Sequence, residues 1–228
     1  MGLIFFDLDG TLVDPVAAME QAAELTYHEF ALEPPARAEL AATVGSGAAA
    51  LFQSHPEFRN PARLAAALES YWIHFEQTSL HRHRVYDGVP MMLARLKRQG
   101  HRIYLVTVLP TRLARRVLHQ FDLLLAFDEV FGNTPEGPGQ AKGALVDQLQ
   151  SLGVIAEPGF LVGDRGADMA TALHNGLRPL GAGYGFAAPG ELQAAGAERV
   201  FASVPELDAW LTREWPEPER FDPFTRSE

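Results

Sequence analysis

The most restrictive feature of the sequence is a short, wholly apolar run, Leu3–Phe6, that ends in two acids and a glycine turn. A run this short predicts a strand that is buried on both faces, as in a parallel sheet. The turn after it is Asp7-Leu8-Asp9-Gly10-Thr11. The two acids therefore lie at the carboxyl end of the strand, the edge where open parallel sheets bind their ligands.

From residue 85 onward, short apolar runs alternate with helical segments of about ten residues. We predict strands at residues 103–107, 126–131, 160–162, 177–180 and 200–201, and helices at residues 90–99, 110–120, 140–152, 167–175 and 205–213. This alternation predicts an α/β fold with a Rossmann-like parallel sheet and helices on both of its faces.

The stretch of residues 15–83 has a different character, because it is rich in Ala, Leu and Glu and has helical spacing without a convincing strand. We therefore predict a small all-α cap domain, residues 15–84, inserted after the first strand. Residues 1–14 and 85–213 form the predicted catalytic core. The tail, residues 214–228, is rich in prolines and charges and is expected to be a surface arm.

Composition excludes several classes of protein. The 228 residues include no cysteine, which excludes disulfides and thiolate metal sites, and the net charge of −10 disfavours nucleic-acid and membrane partners. The sequence lacks a run of roughly 18 apolar residues that could span a bilayer. Its start carries no basic leader, so we expect no signal peptide and a cytoplasmic location. The oligomeric state stays open.

Further polar residues follow the predicted strands at the same edge of the sheet. Thr107 and Asp164 each end a strand, Asp168 lies one helical turn later, and Lys142 opens the helix between them. Converging carboxylates repel each other unless a cation lies among them, and oxygen ligands suit Mg²⁺ together with a substrate phosphate. A hydroxyl and an ammonium supply donors for phosphate oxygens.

In order along the chain, these residues resemble the four motifs of the haloacid dehalogenase-like hydrolase superfamily. The motifs are Asp7-x-Asp9-Gly10-Thr11, Leu105-Val106-Thr107, Lys142 and Gly163-Asp164-x-x-x-Asp168. Tyr86-Asp87-Gly88-Val89 resembles the hinge of the phosphoglycolate phosphatase-like members, and the helical insert resembles their cap. Four motifs in the right order, with a cap in the right gap, are far more specific than one motif alone.

The resemblance implies a Mg²⁺-dependent phosphatase that hydrolyses a small phosphorylated metabolite through an aspartyl-phosphate. Asp7 would attack phosphorus, and Asp9 would protonate the leaving oxygen and later deprotonate water. The implied metal ligands are Asp7, the main-chain carbonyl of Asp9, and Asp164, while Asp168 would orient a metal-bound water or Lys142. The implied phosphate-binding residues are Gly10, Thr11, Thr107, Val108 and Lys142.

The second motif departs from the family pattern at two positions. The family has Asn and often a basic residue after the motif threonine, whereas this chain has Val108 and Leu109. Their side chains cannot bind phosphate, although the Val108 N–H can.

The predicted cap carries seven acids and one arginine between residues 14 and 57. We therefore expect neutral leaving groups to be favoured over carboxylated ones such as glycolate, unless a nearby arginine reaches the site. The candidates are Arg59, Arg63, Arg82 and Arg84.

Several alternatives stay open on the residues alone. A phosphomutase would share every core motif and differ only in not releasing phosphate. A haloacid dehalogenase needs neither a leaving-group acid nor a metal, so Asp9 and Asp164 argue against it. A phospho-receiver domain would need neither Asp9 nor a cap, and an inactive binding protein tends to lose a motif acid.

Two features allow both a structural and a functional interpretation. His81-Arg82-His83-Arg84 could bind a metal or an anion, but we expect the polar end of the last cap helix. Arg165, next to Asp164, is either a substrate contact or a surface residue.

Overall fold

The computed structural model describes residues 2–133, 142, 146–147 and 159–215. Its strands are β1 Leu3–Phe6, β2 Val13–Asp14, β3 Arg84–Val85, β4 Arg102–Pro110, β5 Glu129–Asn133, β6 Gly159–Gly163, β7 Arg178–Ala182 and β8 Arg199–Phe201. Six of them form a parallel sheet in the order β5-β4-β1-β6-β7-β8. The predicted parallel α/β fold is confirmed.

The helices are α1 Val16–Glu29, α2 Arg37–Ala42, α3 Ala50–Gln53, α4 Pro61–His74, α5 Val89–Arg98, α6 Thr111–Gln120, α7 Gly166–His174, α8 Glu191–Ala194 and α9 Val204–Glu214. Lys142, Val146 and Asp147 are helical as well. The remainder of the predicted helix at residues 140–152 lies outside the described residues. Within the part of the chain that is described, no helix has the length and apolar character needed to cross a bilayer.

Strand β1 lies at the centre of the sheet, as its apolar composition predicts. Its four side chains are fully buried, and it pairs with β4 on one side and β6 on the other. Ile4 and Phe6 pack into a large apolar cluster, while Leu3 and Phe5 join a separate cluster that includes Val146. Alternate residues of β1 therefore face two different apolar layers, which places helices on both faces of the sheet.

Residues 16–82 contain α1 to α4, the 3₁₀ turns Pro56–Arg59 and Leu80–Arg82, and one π-helical turn, Phe75–Ser79. Their apolar centre is aromatic, since the Tyr27 ring lies 5.6 Å from that of Phe52 and 5.5 Å from that of Phe58. The predicted absence of strands from residues 15–83 agrees with the structure, in which this whole stretch is described. The division into a cap and a core stays a prediction.

A two-stranded antiparallel ladder of β2 and β3 joins the two ends of this helical segment. Val13 pairs with Val85 and Asp14 with Arg84, and the Tyr86 N–H donates to the Leu12 carbonyl at 3.1 Å. The sequence did not predict these strands, because two residues are too few to show a period. The ladder holds the entry and exit of residues 16–82 side by side.

Two predicted boundaries differ from the structure. Strand β4 continues three residues beyond the predicted end and finishes at Pro110, which was placed in the first turn of the next helix. The predicted strand at residues 126–131 begins later, at Glu129, because Leu124–Ala126 forms a 3₁₀ turn. In both places a short apolar run predicts that a strand exists, but not the residue at which its ladder begins or ends.

Candidate active site

Three carboxylates meet at the carboxyl edge of the sheet. Asp7 follows β1, Asp164 follows β6, and Asp168 lies in the first turn of α7. All three are buried, and each offers an oxygen within 4.8 Å of the others. The pairing of β1 with β6 explains the convergence, since neighbouring parallel strands end at the same edge.

Lys142 is the cation of this cluster and is itself buried. Its Nζ lies 2.8 Å from Asp7 Oδ1 and 2.5 Å from Asp168 Oδ1. Burial alone would lower the pKa of Lys142, but the charges of Asp168 and Asp7 outweigh it and raise this pKa. The Arg165 N–H donates to the other Asp168 oxygen at 3.0 Å. Both oxygens of Asp168 are therefore occupied by protein donors.

The remaining acids have oxygens without a partner. Asp7 Oδ2 and Asp164 Oδ1 are buried, and neither has a hydrogen-bond partner among the described residues. Burial raises the pKa of Asp7 to about 6 against the opposing charge of Lys142, and burial followed by the charge of Asp7 raises the pKa of Asp164 well above its usual range. Unpaired carboxylate oxygens from adjacent strands are a donor set that fits Mg²⁺.

Asp9 lies apart from the three-carboxylate cluster and faces a cavity. Its Oδ1 is buried and has no hydrogen-bond partner in the described structure. Burial, with a further contribution from the charge of Asp7, raises the pKa of the Asp9 carboxyl to about 7. The residue lines the cavity together with Tyr71 of α4 and Leu109 of β4. A carboxyl in this environment can hold a proton close to neutral pH.

Two glycines make room for Asp164. Gly10 has a φ of +83°, and a Cβ there would lie 2.1 Å from Asp164 Oδ2. A Cβ at Gly185 would lie 2.4 Å from Asp164 Cβ, and the N–H of Phe186 donates to Asp164 Oδ2 at 2.8 Å. The contact of Gly185 with the site was not predicted from the sequence. The sequence carried no signal for Phe186, which acts through its backbone.

The N–H groups of Gly10 and Thr11 both donate within the turn that follows β1. The N–H of Gly10 donates to the Val13 carbonyl at 2.8 Å, and that of Thr11 to the Leu8 carbonyl at 3.3 Å. The Thr11 hydroxyl is fully buried and has no partner among the described residues. Phosphate binding by Gly10 and Thr11 stays a prediction, and the geometry gives Gly10 a steric role beside Asp164.

Thr107 and Val108 lie where the ladder between β4 and β5 is irregular, between Val106 and Pro110. The buried Thr107 hydroxyl accepts the Leu109 N–H at 3.2 Å, and the Val108 carbonyl accepts from Asn133 at 2.8 Å. Such irregularities are common next to active sites, where they redirect side chains. Here the irregularity turns Val108 and Leu109 toward the same cavity as Asp9.

Residues 81–84 and Arg165, for which the sequence allows both a structural and a functional interpretation, lie in different environments. The exposed side chains of His81, Arg82 and Arg84 surround a buried His83, whose Nδ1 is 2.9 Å from the Leu80 carbonyl and whose pKa burial lowers to about 4. This arrangement agrees with the structural interpretation of the segment. Arg165 donates to the Phe186 carbonyl at 2.8 Å and packs against Gly45.

Comparison of the whole sequence with known proteins indicates the same family as the residues of the site do. A profile of haloacid dehalogenase-like hydrolases matches residues 1–176, which contain every residue of the carboxylate cluster. The chain belongs to the haloacid dehalogenase-like hydrolases. The predicted family and the predicted enzyme class, a phosphatase of this superfamily, are confirmed.

Individual members of the family resemble this hydrolase over most of its length. It is 33% identical to a 5'-nucleotidase of Pseudomonas aeruginosa, over 84% of this chain and 86% of the relative. It is 30% identical to a plasmid-encoded phosphoglycolate phosphatase of Cupriavidus necator, over 92% of each chain. A solved structure titled as a predicted phosphatase from Clostridium acetobutylicum superimposes with a TM-score of 0.84 and 28% identity, covering 93% of this chain and 98% of its own.

Proposed function

We propose that this chain is a Mg²⁺-dependent phosphatase that hydrolyses a small phosphomonoester through an aspartyl-phosphate on Asp7. The observation that carries the proposal is the environment of the Asp7 carboxylate. One of its oxygens is held by Lys142 at 2.8 Å, while the other is buried beside Asp164 and has no hydrogen-bond partner among the described residues. A carboxylate fixed in this way is oriented for attack by one oxygen.

The residues that would hold Mg²⁺ are Asp7, Asp164 and the main-chain carbonyl of Asp9. When bound, the ion neutralises charge on the phosphoryl group and on the carboxylates, which lowers the barrier to attack by an anion on an anion. Asp168 has both oxygens occupied by Lys142 and the Arg165 N–H. Its proposed role is therefore to position Lys142, which agrees with one of the two roles that the family resemblance implies.

The proposed reaction has two steps. Asp7 attacks phosphorus, the bond to the ester oxygen breaks, and Asp9 donates its proton to the departing alcohol. Asp9 then accepts a proton from a water that attacks the aspartyl-phosphate, which restores Asp7 and releases inorganic phosphate. Lys142 and Thr107 hold the phosphoryl oxygens, with the Val108 N–H as a further donor. The raised pKa of Asp9, about 7, supports its use as both acid and base.

Water is the proposed acceptor of the phosphoryl group. Relatives that cover at least four fifths of this chain are named 5'-nucleotidase and phosphoglycolate phosphatase, and both names describe hydrolysis of a phosphomonoester. A phosphomutase would instead return the phosphoryl group to a sugar. Release of one inorganic phosphate per substrate consumed is therefore the expected stoichiometry.

The test measures phosphate release from p-nitrophenyl phosphate by the full chain. We expect a chelator to abolish turnover and Mg²⁺ to restore it. Asp7→Asn should lower kcat by about 10³-fold or more, as removal of a nucleophile does in other enzymes. Asp122→Asn is the matched control, because Asp122 is exposed and has a positive φ of +57° that Asn also tolerates. Unchanged turnover in Asp7→Asn would refute the proposal.

A further inference from the structure

The cavity beside Asp9 lies between the sheet edge and the helical segment of residues 16–82. Its enclosed space is small, about 40 Å³, and the wider space of about 420 Å³ includes open solvent at its mouth, so only a small group or one edge of a ring can be enclosed. Most of the wall is apolar and comes from the side chains Met19, Leu51, Trp72, Phe75, Val108 and Leu109. Asp9 is the one charged residue among the described residues that line it.

Val108 and Leu109 are the two residues at which the second motif departs from the family pattern. In this chain they extend the apolar wall into the core side of the cavity. The same wall continues on the opposite side with Met19 of α1 and Trp72 of α4. The substitutions and the helical segment therefore build one apolar surface from two parts of the chain.

Four arginines close in sequence to this wall pair with acids, and Arg59, Arg82 and Arg84 are exposed and are not among the described residues that line it. Arg63 pairs with Glu57 and lies over the Phe30 ring, and Arg37 pairs with Glu20. Arg112 and Arg116 both pair with Glu76.

Arg165 reaches the Gly45 loop that borders the cavity. Its guanidinium donates to the Phe186 carbonyl at 2.8 Å and lies 3.7 Å from Glu191, so it is directed to the core. Lys142 is bound by Asp7 and Asp168.

We propose that this cavity receives the leaving group of the substrate, and that the enzyme selects neutral leaving groups with an apolar or aromatic face over carboxylated ones. The inference rests on the proposed function, since it assigns the substrate class of that site. A carboxylate placed here would lose its hydration without gaining a cation and would lie near the acids of the site. Aromatic and aliphatic walls instead gain from burying an apolar group.

The experiment compares substrates that differ in one property at a time. Phosphoglycolate and its amide, phosphoglycolamide, have nearly the same size and differ by one negative charge. Benzyl phosphate and methyl phosphate differ in an aromatic ring, and neither has an activated leaving group. We expect kcat/KM for phosphoglycolamide to exceed that for phosphoglycolate by about 10²-fold or more, because the buried carboxylate stays unpaired. The kcat/KM for benzyl phosphate should likewise exceed that for methyl phosphate.

A cation placed in the wall should weaken the preference for the amide. In Met19→Lys the new ammonium lies in the cavity, and the ratio of kcat/KM for phosphoglycolate to that for its amide should rise about tenfold or more. Thr43→Lys places a cation among the half-buried lining residues and provides a second variant if Met19→Lys fails to fold. The matched control is Ile73→Lys, which adds the same charge at a residue of α4 that is 47% exposed.

The outcomes separate this inference from the proposed function. Phosphoglycolate turnover equal to or above that of its amide would overturn the inference, as would equal turnover of benzyl and methyl phosphate. Turnover that still depends on Asp7 would leave the proposed function standing in either case. A protein that hydrolyses none of the esters, or that is unaffected by Asp7→Asn, would refute the proposed function and the inference with it.

Discussion

Replacement of Asp9 by Asn should slow the reaction according to how much the leaving group needs a proton. Benzyl phosphate releases an alkoxide, which is a poor leaving group at neutral pH unless it is protonated as the bond breaks. Nitrophenolate is stable enough to leave without a proton. Asn has nearly the same shape as Asp but cannot donate the acid proton, so Asp9→Asn isolates this contribution.

The size of the effect follows from the position of Asp9. Its Oδ1 is buried without a hydrogen-bond partner in the described part of the chain, it faces the cavity that receives the leaving group, and burial raises its pKa to about 7. General acid catalysis from such a position contributes about 10²–10⁴-fold. At 1.36 kcal/mol per decade, this is roughly 3–5 kcal/mol of transition-state stabilisation. We expect a loss of this size with benzyl phosphate and a much smaller one with p-nitrophenyl phosphate.

The assay must measure enzyme phosphorylation alone, because Asp9 also assists hydrolysis of the intermediate, which both substrates share. Single-turnover quenched-flow experiments with enzyme in excess follow release of the alcohol or phenol. Asp122→Asn is again the control for an Asp to Asn change outside the site. If Asp9→Asn lowers the phosphorylation rate by the same factor with both substrates, Asp9 is not the leaving-group acid and acts through its backbone carbonyl.

Two further predictions concern a glycine at the site and a buried histidine. Gly10→Ala should weaken Mg²⁺ activation, because its Cβ would lie 2.1 Å from Asp164 Oδ2, whereas Gly190→Ala, with a similar φ of +80° and open space, should leave the Mg²⁺ titration unchanged. Equal titrations would contradict the steric role. Burial lowers the pKa of His83 from 6.5 to about 4, so the folded state favours the neutral ring. The free energy of unfolding should therefore fall by about 3 kcal/mol as the pH drops from 6.5 to about 4, and urea titrations of His83→Asn should lack this component.

The fold could be predicted wherever a strand or helix carries its own pattern. Leu3–Phe6 is apolar throughout because both of its faces are buried, and this alone placed it inside a parallel sheet. The ladder of β2 and β3 was missed because two-residue strands depend on tertiary pairing rather than on a period. The start of β5 was predicted too early for a different reason, because the 3₁₀ turn before it is apolar as well.

The candidate site shows the same division. The convergence of Asp7, Asp164 and Lys142 could be predicted because parallel strands present their carboxyl ends at one edge, and motif order supplied the rest. The contact of Gly185 and the Phe186 N–H with Asp164 depends on a loop about twenty residues further along the chain, and no local pattern marks it. The apolar wall of the cavity also joins residues that are distant in sequence. The sequence alone showed only the shortage of basic residues between residues 14 and 57.

The covalent step on Asp7 is the central claim, and chemical trapping tests it most directly. An acyl phosphate is reduced by borohydride, whereas a free carboxylate is not, so quenching the enzyme with borohydride during turnover should convert residue 7 to homoserine. Peptide mass spectrometry locates the change. We expect it at Asp7 only when substrate and Mg²⁺ are both present. Steady turnover with residue 7 unmodified, or modification at another acid, would contradict the account.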